Sequence, residues 1–427
     1  MRIDRLGDLG GAPRVLRAVG EAAGRLGLPP PAALTGEWFD ALAVIAPSVS
    51  VRPVDVADAF DVSPGLAASD CAAVGGGWIG YLSYPDAGAD GRPNRIPEAA
   101  GGWTDCVLRR DRGNQWWYES LSGIPMPPWL ADALTSRRPP RACRIDWGAP
   151  DRAAHRAGVL ACLEAIAAGE VYQACVCTQF TGTVTGNPLD FFVEAITRTA
   201  PARAAYVAGA WGAVASLSPE LFLRRRGGVV TSSPIKGTLP ADAWPSALRA
   251  SVKDVAENIM IVDMVRNDLG RVAVTGTVSV PELLVVRRAP GVWHLVSTVS
   301  AQVPAELSTS ALLDAAFPPA SVTGTPKLRA RQLISRWEPF SRGVYCGTVG
   351  LASPVAGCEL NVAIRTVEFD TTGNAVLGVG GGITADSTVE AEWEECLHKA
   401  APIVGAAFAS TLASPSRSHD RVVELTS

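Results

Sequence analysis

Two short segments gather the residue types that acid–base and metal chemistry require. The first runs Lys253-Asp254-Val-Ala-Glu257-Asn258-Ile-Met-Ile-Val-Asp263-Met-Val-Arg266-Asn267-Asp268. At helical spacing Asp254 and Glu257 share a face, and Val255, Ile259, Val262 and Val265 form the packing side. The second opens on Ser387-x-x-Glu390, which reads as a capping box. It places Glu392, Glu395 and Lys399 on one helix face, with Trp393, Cys396, Leu397 and Ala400 opposite. Two helices that each present a pair of acids can hold a hard cation through oxygen. Mg2+ takes only about one or two protein carboxylates and keeps room for water and an anionic substrate. The competing reading is two solvated helix faces. The run Gly378-Val-Gly380-Gly381-Gly382-Ile383 ahead of the second helix favours a site, because it lets backbone approach a ligand and offers N–H groups to an anion.

A bias among the basic residues points the same way. Only four of the 38 are lysine, at 236, 253, 327 and 399, and the rest are arginine. Arginine replaces lysine readily on a solvated surface. A lysine that survives marks a place where a compact ammonium is needed, or an amine that can shed its proton to act as base or nucleophile; chance at the surface is the alternative. All four lie in the C-terminal two-thirds, which is therefore expected to carry the chemistry.

The 427 residues suffice for two or three domains, or for one large two-sheet domain. With 48% apolar and 19% charged residues a sizeable core is available and global disorder is excluded. A net charge of −4 argues against a nucleic-acid scaffold. No apolar run reaches the roughly 18 residues of a membrane span. The start, Met1-Arg-Ile-Asp-Arg-Leu-Gly-Asp, lacks the order of a secretion signal, so the cytoplasm is the expected location. Nine scattered cysteines without a C-x-x-C read as reduced and mostly buried; Cys175 and Cys177, two apart on a strand, read as core rather than as metal ligands. Gly75-x-Gly77-x-x-Gly80 matches a dinucleotide fingerprint only formally, since aromatic and β-branched residues continue through it.

Alternating Ala/Leu-rich stretches and prolines predict helices and turns over 1–70, a strand at 71–84 and a proline-marked linker at 125–150. Thereafter strands are expected at 171–180, 204–215, 221–225, 228–232, 345–351, 359–368 and 375–380. Helices are expected near 159–167 and at 188–198, 245–268, 309–316, 325–337 and 388–407. Strands arrive in runs with helices between some of them, which predicts an α+β layered fold. The organisation read from this is an N-terminal region at 1–150, a catalytic domain at 151–410 and a polar tail at 411–427.

Several ordered motifs then carry a resemblance. Ser218-Pro219-Glu220-Leu221-Phe222, Thr231-Ser-Ser-Pro234-Ile235-Lys236-Gly237-Thr238 and the 257–268 helix are similar to the chorismate-utilising enzymes. So are Ser321-Val-Thr-Gly-Thr-Pro-Lys327, Tyr345-Cys-Gly-Thr-Val-Gly350, Asn361-Val-Ala-Ile-Arg365-Thr366 and Gly380-Gly-Gly-Ile-Thr-Ala-Asp386. The resemblance spans about 151–403, and Gly76-Gly-Trp-Ile-Gly-Tyr-Leu extends it toward the N-terminus. It implies a fold of the anthranilate synthase component I type, with two large packed antiparallel or mixed β-sheets flanked by helices.

Two positions sort the branches of that family. Members that add water to chorismate carry a lysine where this chain has Gln173, so the resemblance implies ammonia as nucleophile. Pro-Ile-Lys-Gly-Thr at 234–238 is the aminodeoxychorismate synthase pattern, whereas anthranilate synthases have alanine at the position of Lys236. The implied chemistry replaces the C4 hydroxyl of chorismate on the way to 4-aminobenzoate and folate. Glu220 is the expected acid for the leaving hydroxyl, its pKa raised by a dry surrounding. Lys236 is the expected nucleophile at C2, its pKa lowered by desolvation. Glu257 and Glu395, supported by Asp254 and Glu392, are implied to hold Mg2+. Arg365 and Tyr345 match positions that hold the enolpyruvyl carboxylate. Gln173, Gly237, Thr238, His294, Thr325, Lys399 and the backbone of Gly380, Gly381 and Gly382 complete the expected pocket.

Of the four histidines only His294 matches a family position; His155, His398 and His419 are expected in solvent. No stretch is left for a glutamine amidotransferase, so a partner subunit is expected to supply ammonia, forming a heterodimer. The chain departs from the family at Ala174-Cys175-Val176, usually Val-Asn-Leu, and at Thr325, usually Ala. It also lacks the Leu-Leu-Glu-Ser pattern that binds feedback tryptophan, so tryptophan inhibition is not expected.

Overall fold

The computed structural model describes residues 1–63, 73–86, 94–136, 139 and 141–405. The expected tail at 411–427, with His419, and Cys71 lie outside them. Two antiparallel sheets dominate. The first has twelve strands and is ordered Arg2–Gly7, Trp116–Ser120, Cys106–Arg110, Ala41–Ala46, Ala32–Trp38, Arg203–Gly209, Gly212–Ser218, Thr366–Phe369, Asn374–Ile383, Gln173–Thr185 and Gly324–Thr325; Arg144–Trp147 pairs the far end of Gln173–Thr185. The second has ten and is ordered Ile235–Pro240, Val292–Gln302, Val229–Ser233, Leu221–Arg226, Gly357–Asn361, Thr348–Ser353, Gly77–Leu82, Ala99–Thr104 and Arg52–Pro53, with Ser279–Ala289 beside Val292–Gln302. Strands from either side of residue 150 share both sheets.

The two-residue side-chain period of a strand builds the layers. On Arg203–Gly209, Ala205 and Val207 face the second sheet and pack with Tyr81, Val349 and Leu351. Ala204 and Tyr206 face outward onto the helices Ala12–Arg25 and Pro188–Thr199. Across the molecule, helices Val252–Gly270 and Thr309–Ala316 cover the outer face of the second sheet through Ile261, Val265, Leu312 and Leu313. Helix, sheet, sheet, helix is the resulting order. The α+β expectation and the two packed sheets hold, and every pair is antiparallel. Among the described residues no helix is long and apolar enough to cross a membrane.

Several local expectations are corrected. The first 53 residues hold four strands and one helix, because Ala32–Trp38 and Ala41–Ala46 are buried almost throughout, and burial on both faces of the sheet wins over alanine's helix propensity. The strand expected at 204–215 is a hairpin turning between Gly209 and Gly212. The one expected at 359–368 breaks before Thr366, where Arg365 adopts φ 52°. The helix expected at 245–268 is two, since Ser251 ends Ser246–Ala250 and caps Val252–Gly270, accepting from the Asp254 amide. The last helix is capped by Thr388, not Ser387. The linker expected at 125–150 contains helix Pro128–Thr135 and strand Arg144–Trp147. His155 is buried rather than solvated, its ring against Trp393 and its Nε2 3.6 Å from the Cys396 sulfur. Burial pushes its pKa down to about 4. The eight described cysteines are free thiols, and Cys175 and Cys177 sit in the core as read.

Candidate active site

One pairing positions the pocket. Gln173–Thr185 lies antiparallel to Asn374–Ile383, so Cys175, Val176 and Cys177 stand opposite Gly382, Gly381 and Gly380. Gln173 pairs with Thr325 on its other side. Bare glycine backbone there leaves space that side chains from other elements enter. A Cβ on Gly382 would stand 3.0 Å from Gln173 Oε1, 3.1 Å from Glu257 Oε1 and 3.1 Å from Lys236 Nζ. Three expected pocket residues, from three elements, thus converge on one Cα.

Lys236 reaches this point through a bulge. Ile235–Pro240 pairs with Val292–Gln302, but the register shifts between Ile235 and Thr238. Gly237 takes φ +89° there, a conformation that favours glycine. A Cβ on Gly237 would meet Asp254 at 3.0 Å, which seats the bulge on the first turn of Val252–Gly270. That helix presents Glu257 inward, buried with Asn258 and Ile261, while Ile259 is 42% exposed. The apolar side inferred from periodicity is therefore rotated, and an acid occupies part of the buried face.

The charges in this space are unequal. Burial pushes the Glu220 carboxyl up to about 7, against a hydrogen bond from Ser321 and the nearby Lys236 ammonium, as expected of a proton donor. Lys236 runs against expectation. Burial favours its neutral form, but Glu257, Cys175, Glu220 and Glu395 outweigh burial and hold its pKa above the usual value. Desolvation alone therefore does not free the amine. Burial lowers His294 to about 4, assisted by the Arg365 guanidinium, so its ring is neutral; its Nδ1 lies 2.9 Å from Thr238 Oγ1.

The acids of the last helix form the neighbouring wall. Glu392 is 1% exposed; its Oε1 accepts from Ser387 Oγ at 2.6 Å and from Lys253 Nζ at 3.2 Å. Glu395 pairs with Lys399 at 2.6 Å, and Lys399 also donates to Gly380 O at 2.7 Å. Burial raises the Glu395 carboxyl, but Lys399, Lys253 and Lys236 hold it below the usual range. Three of the four lysines thus surround the acids. The fourth, Lys327, is structural, bridging Asp268 Oδ2 at 2.6 Å to the carbonyls of Ala316 and Pro318 at 3.0 Å.

Several buried polar atoms here lack a partner: both amide atoms of Gln173, Glu257 Oε1, Glu392 Oε2 and the Thr384 hydroxyl. Gln173 Oε1 and Glu257 Oε1 stand at Gly382 and Glu392 Oε2 at the neighbouring Gly381; buried polar groups are normally satisfied, so these orphans indicate something to be bound. Hard carboxylate oxygens fit Mg2+. Among the described residues no three His, Cys, Asp or Glu side chains form a ready-made metal site. A cation here would complete its shell with water and substrate, as Mg2+ does.

Tyr345 and Arg365 are not drawn to a single point by any contact seen. The Tyr345 ring packs on Gly378, four residues and roughly 13 Å along the strand from Gly382. Thr325 lies beside Gln173 and donates to Met264 Sδ. Sequence reasoning gave no role to Ser321 or to the Glu338–Arg342 pair. Arg342 binds Glu338 Oε1 at 2.6 Å and Oε2 at 2.8 Å, Val322 O at 2.9 Å and Cys175 O at 3.0 Å, while Glu338 Oε1 accepts from Cys177 N at 3.0 Å. The pair pins the pocket strand to the 320–325 loop. Its i, i+4 spacing was visible in the sequence, but Glu338 and Arg342 lie beyond the helix Lys327–Trp337, where that spacing carries no weight.

Comparison with known proteins gives the chain's family and fold. Aminodeoxychorismate synthase component 1 of Escherichia coli (strain K12) is 42% identical over 243 residues, covering 55% of this chain and 53% of that protein. Aminodeoxychorismate synthase of Streptomyces pristinaespiralis is 36% identical over 358 residues, covering 76% of this chain and 50% of that one. The chain spans about half the length of the curated relatives it matches. The crystal structure of anthranilate synthase component I from Streptococcus pneumoniae TIGR4 superposes with TM-score 0.70 at 24% identity, covering 83% of this chain and 86% of that one, and so shares the fold. The family described as chorismate binding enzyme matches residues 51–405, and the chain belongs to that family.

Proposed function

We propose that this chain replaces the C4 hydroxyl of chorismate with an amino group, giving 4-amino-4-deoxychorismate and water, as the synthase component for 4-aminobenzoate and folate formation. The observation that carries the reading is the convergence of Lys236, Gln173 and Glu257 on Gly382, with the buried Glu220, its carboxyl pushed up to about 7, near Lys236. The names of the relatives support it. Glu220 gives its proton to the departing C4 hydroxyl while the Lys236 amine adds at C2; ammonia then adds at C4, Lys236 leaves, and the surplus proton of the new amine returns to Glu220. A proton passing from Lys236 to an ionised Glu220 would leave a free amine and a proton donor side by side, against the pull of the carboxylates that hold the Lys236 pKa up. Mg2+ at Glu257 and Glu395 would bind the ring carboxylate and offset the negative charge that keeps the proton on Lys236.

Gln173, fully buried and with both amide atoms free, offers ammonia an acceptor and a substrate oxygen a donor. Arg365, His294 and Thr238 supply a second polar wall for the enolpyruvyl carboxylate. Ammonia is taken to come from glutamine through an amidotransferase subunit. The test is purified protein with chorismate, Mg2+ and ammonium, with products resolved with and without an aminodeoxychorismate lyase. Lyase-dependent 4-aminobenzoate is expected; lyase-independent 2-aminobenzoate would make the chain an anthranilate synthase and overturn the proposal.

A further inference from the structure

We infer that the Lys253 ammonium is a built-in counter-ion that sits on Glu392 when no divalent cation is bound and gives way when one arrives. The inference rests on the proposed cation site and adds a residue that sets how tightly that site takes its cation. Glu392 is 1% exposed, and a carboxylate buried so deeply needs a compensating charge. Lys253, from the first turn of the other acid-bearing helix, supplies it across a 3.2 Å contact, long for a charged hydrogen bond, and its side chain is 40% exposed. It can therefore leave for water. Lys399 is fastened twice, to Glu395 and to the Gly380 carbonyl, and Lys236 is held among carboxylates in the interior. Glu392 does not need Lys253 to stay in place, because Ser387 Oγ fixes the same oxygen at 2.6 Å.

Two further observations point to a cation. Glu392 Oε2 and Glu257 Oε1 are buried and without partners. They face adjacent glycines, with Cβ positions 2.7 Å from Glu392 Oε2 at Gly381 and 3.1 Å from Glu257 Oε1 at Gly382. An ammonium on one oxygen of this group repels a dication approaching the others. The helices that carry the acids are anchored independently of Lys253, Val252–Gly270 by Ile261 and Leu269 and the last helix by Trp393 and Leu397. Losing the ammonium thus removes repulsion without dispersing the acids.

The test is direct binding of Mn2+ to the purified chain, without substrate, by electron paramagnetic resonance and calorimetry. Lys253→Met is expected to bind Mn2+ about tenfold more tightly than the unaltered protein, the scale of one charge acting at the edge of a partly solvated site. Lys253→Arg keeps the charge and should bind as the unaltered protein does. Without cation Lys253→Met should melt at a lower temperature, and saturating Mn2+ should raise its melting point more than that of the unaltered protein. Equal or weaker Mn2+ binding by a folded Lys253→Met overturns the inference while leaving the cation site intact. Failure of the unaltered protein to bind Mn2+ overturns both.

Discussion

The Glu338–Arg342 pair and the pocket behind Gly382 both bury charge, are joined through Cys175, and follow opposite rules. In the pair, both carboxylate oxygens meet the guanidinium, two carbonyls and one amide supply further bonds, and the Tyr84 ring lies 4.6 Å from the guanidinium carbon. In the pocket, Gln173, Glu257 and Glu392 keep buried polar atoms open. Satisfied charge fixes backbone; open charge waits for a ligand. The first kind of site should fail by unfolding and the second by losing turnover while staying folded.

The largest expected effect lies in the satisfied pair. Arg342→Met leaves Glu338 buried and uncompensated and should cost about 3–5 kcal/mol in urea unfolding. Near-normal stability there would erase the contrast. Glu257→Gln should do the reverse, abolishing turnover while changing stability by about 1 kcal/mol or less. Next comes Gly382→Ala, whose methyl would crowd three reactive groups at 3.0–3.1 Å. Turnover should fall about 100-fold from misplacement, with stability changed by about 1–3 kcal/mol. Turnover unchanged by the added methyl would remove the convergence on Gly382 from the site.

The fold was legible where chemistry and periodicity agreed. Helices at 188–199 and 309–316 match their expected spans within a residue, because each combines an apolar stripe with a cap from Asn187 or Ser308. The hairpin Ser279–Ala289 with Val292–Gln302 was not read, since its first strand is an edge with scattered exposure and no clean alternation. The site was legible as a set of residues but not as charges. Lys236 shows why: burial was foreseeable from the sequence, yet its protonation depends on carboxylates from Glu220, Glu257 and Glu395, which only the fold brings near. His155 failed likewise, since nothing in Arg152–Ala167 reveals the Trp393 and Cys396 that cover it.

Smaller effects concern pH. With Glu220 at about 7, turnover limited by its proton should fall roughly tenfold per unit above pH 7, a limb absent from the residual activity of Glu220→Gln. Because burial raises this acid from 4.5, its contribution to stability is full below pH 4.5 and is lost as pH rises through about 7. His155 acts in the opposite sense. Burial lowers it from 6.5 to about 4, so its contribution is full above pH 6.5 and is lost as pH falls toward 4. His155→Phe should flatten that part of the stability profile; an unchanged profile would remove His155 from the account.

The central claim is that the open charges around Gly382 form an amination site in which Lys236 bonds to the substrate. It is tested most directly by incubating the protein with chorismate and Mg2+ in the absence of ammonia, then measuring intact and peptide masses. The account predicts an adduct of chorismate less water on Lys236, discharged by added ammonium and absent from Lys236→Ala. Full ammonium-dependent turnover by a folded Lys236→Ala, with no adduct on the unaltered chain, would contradict it.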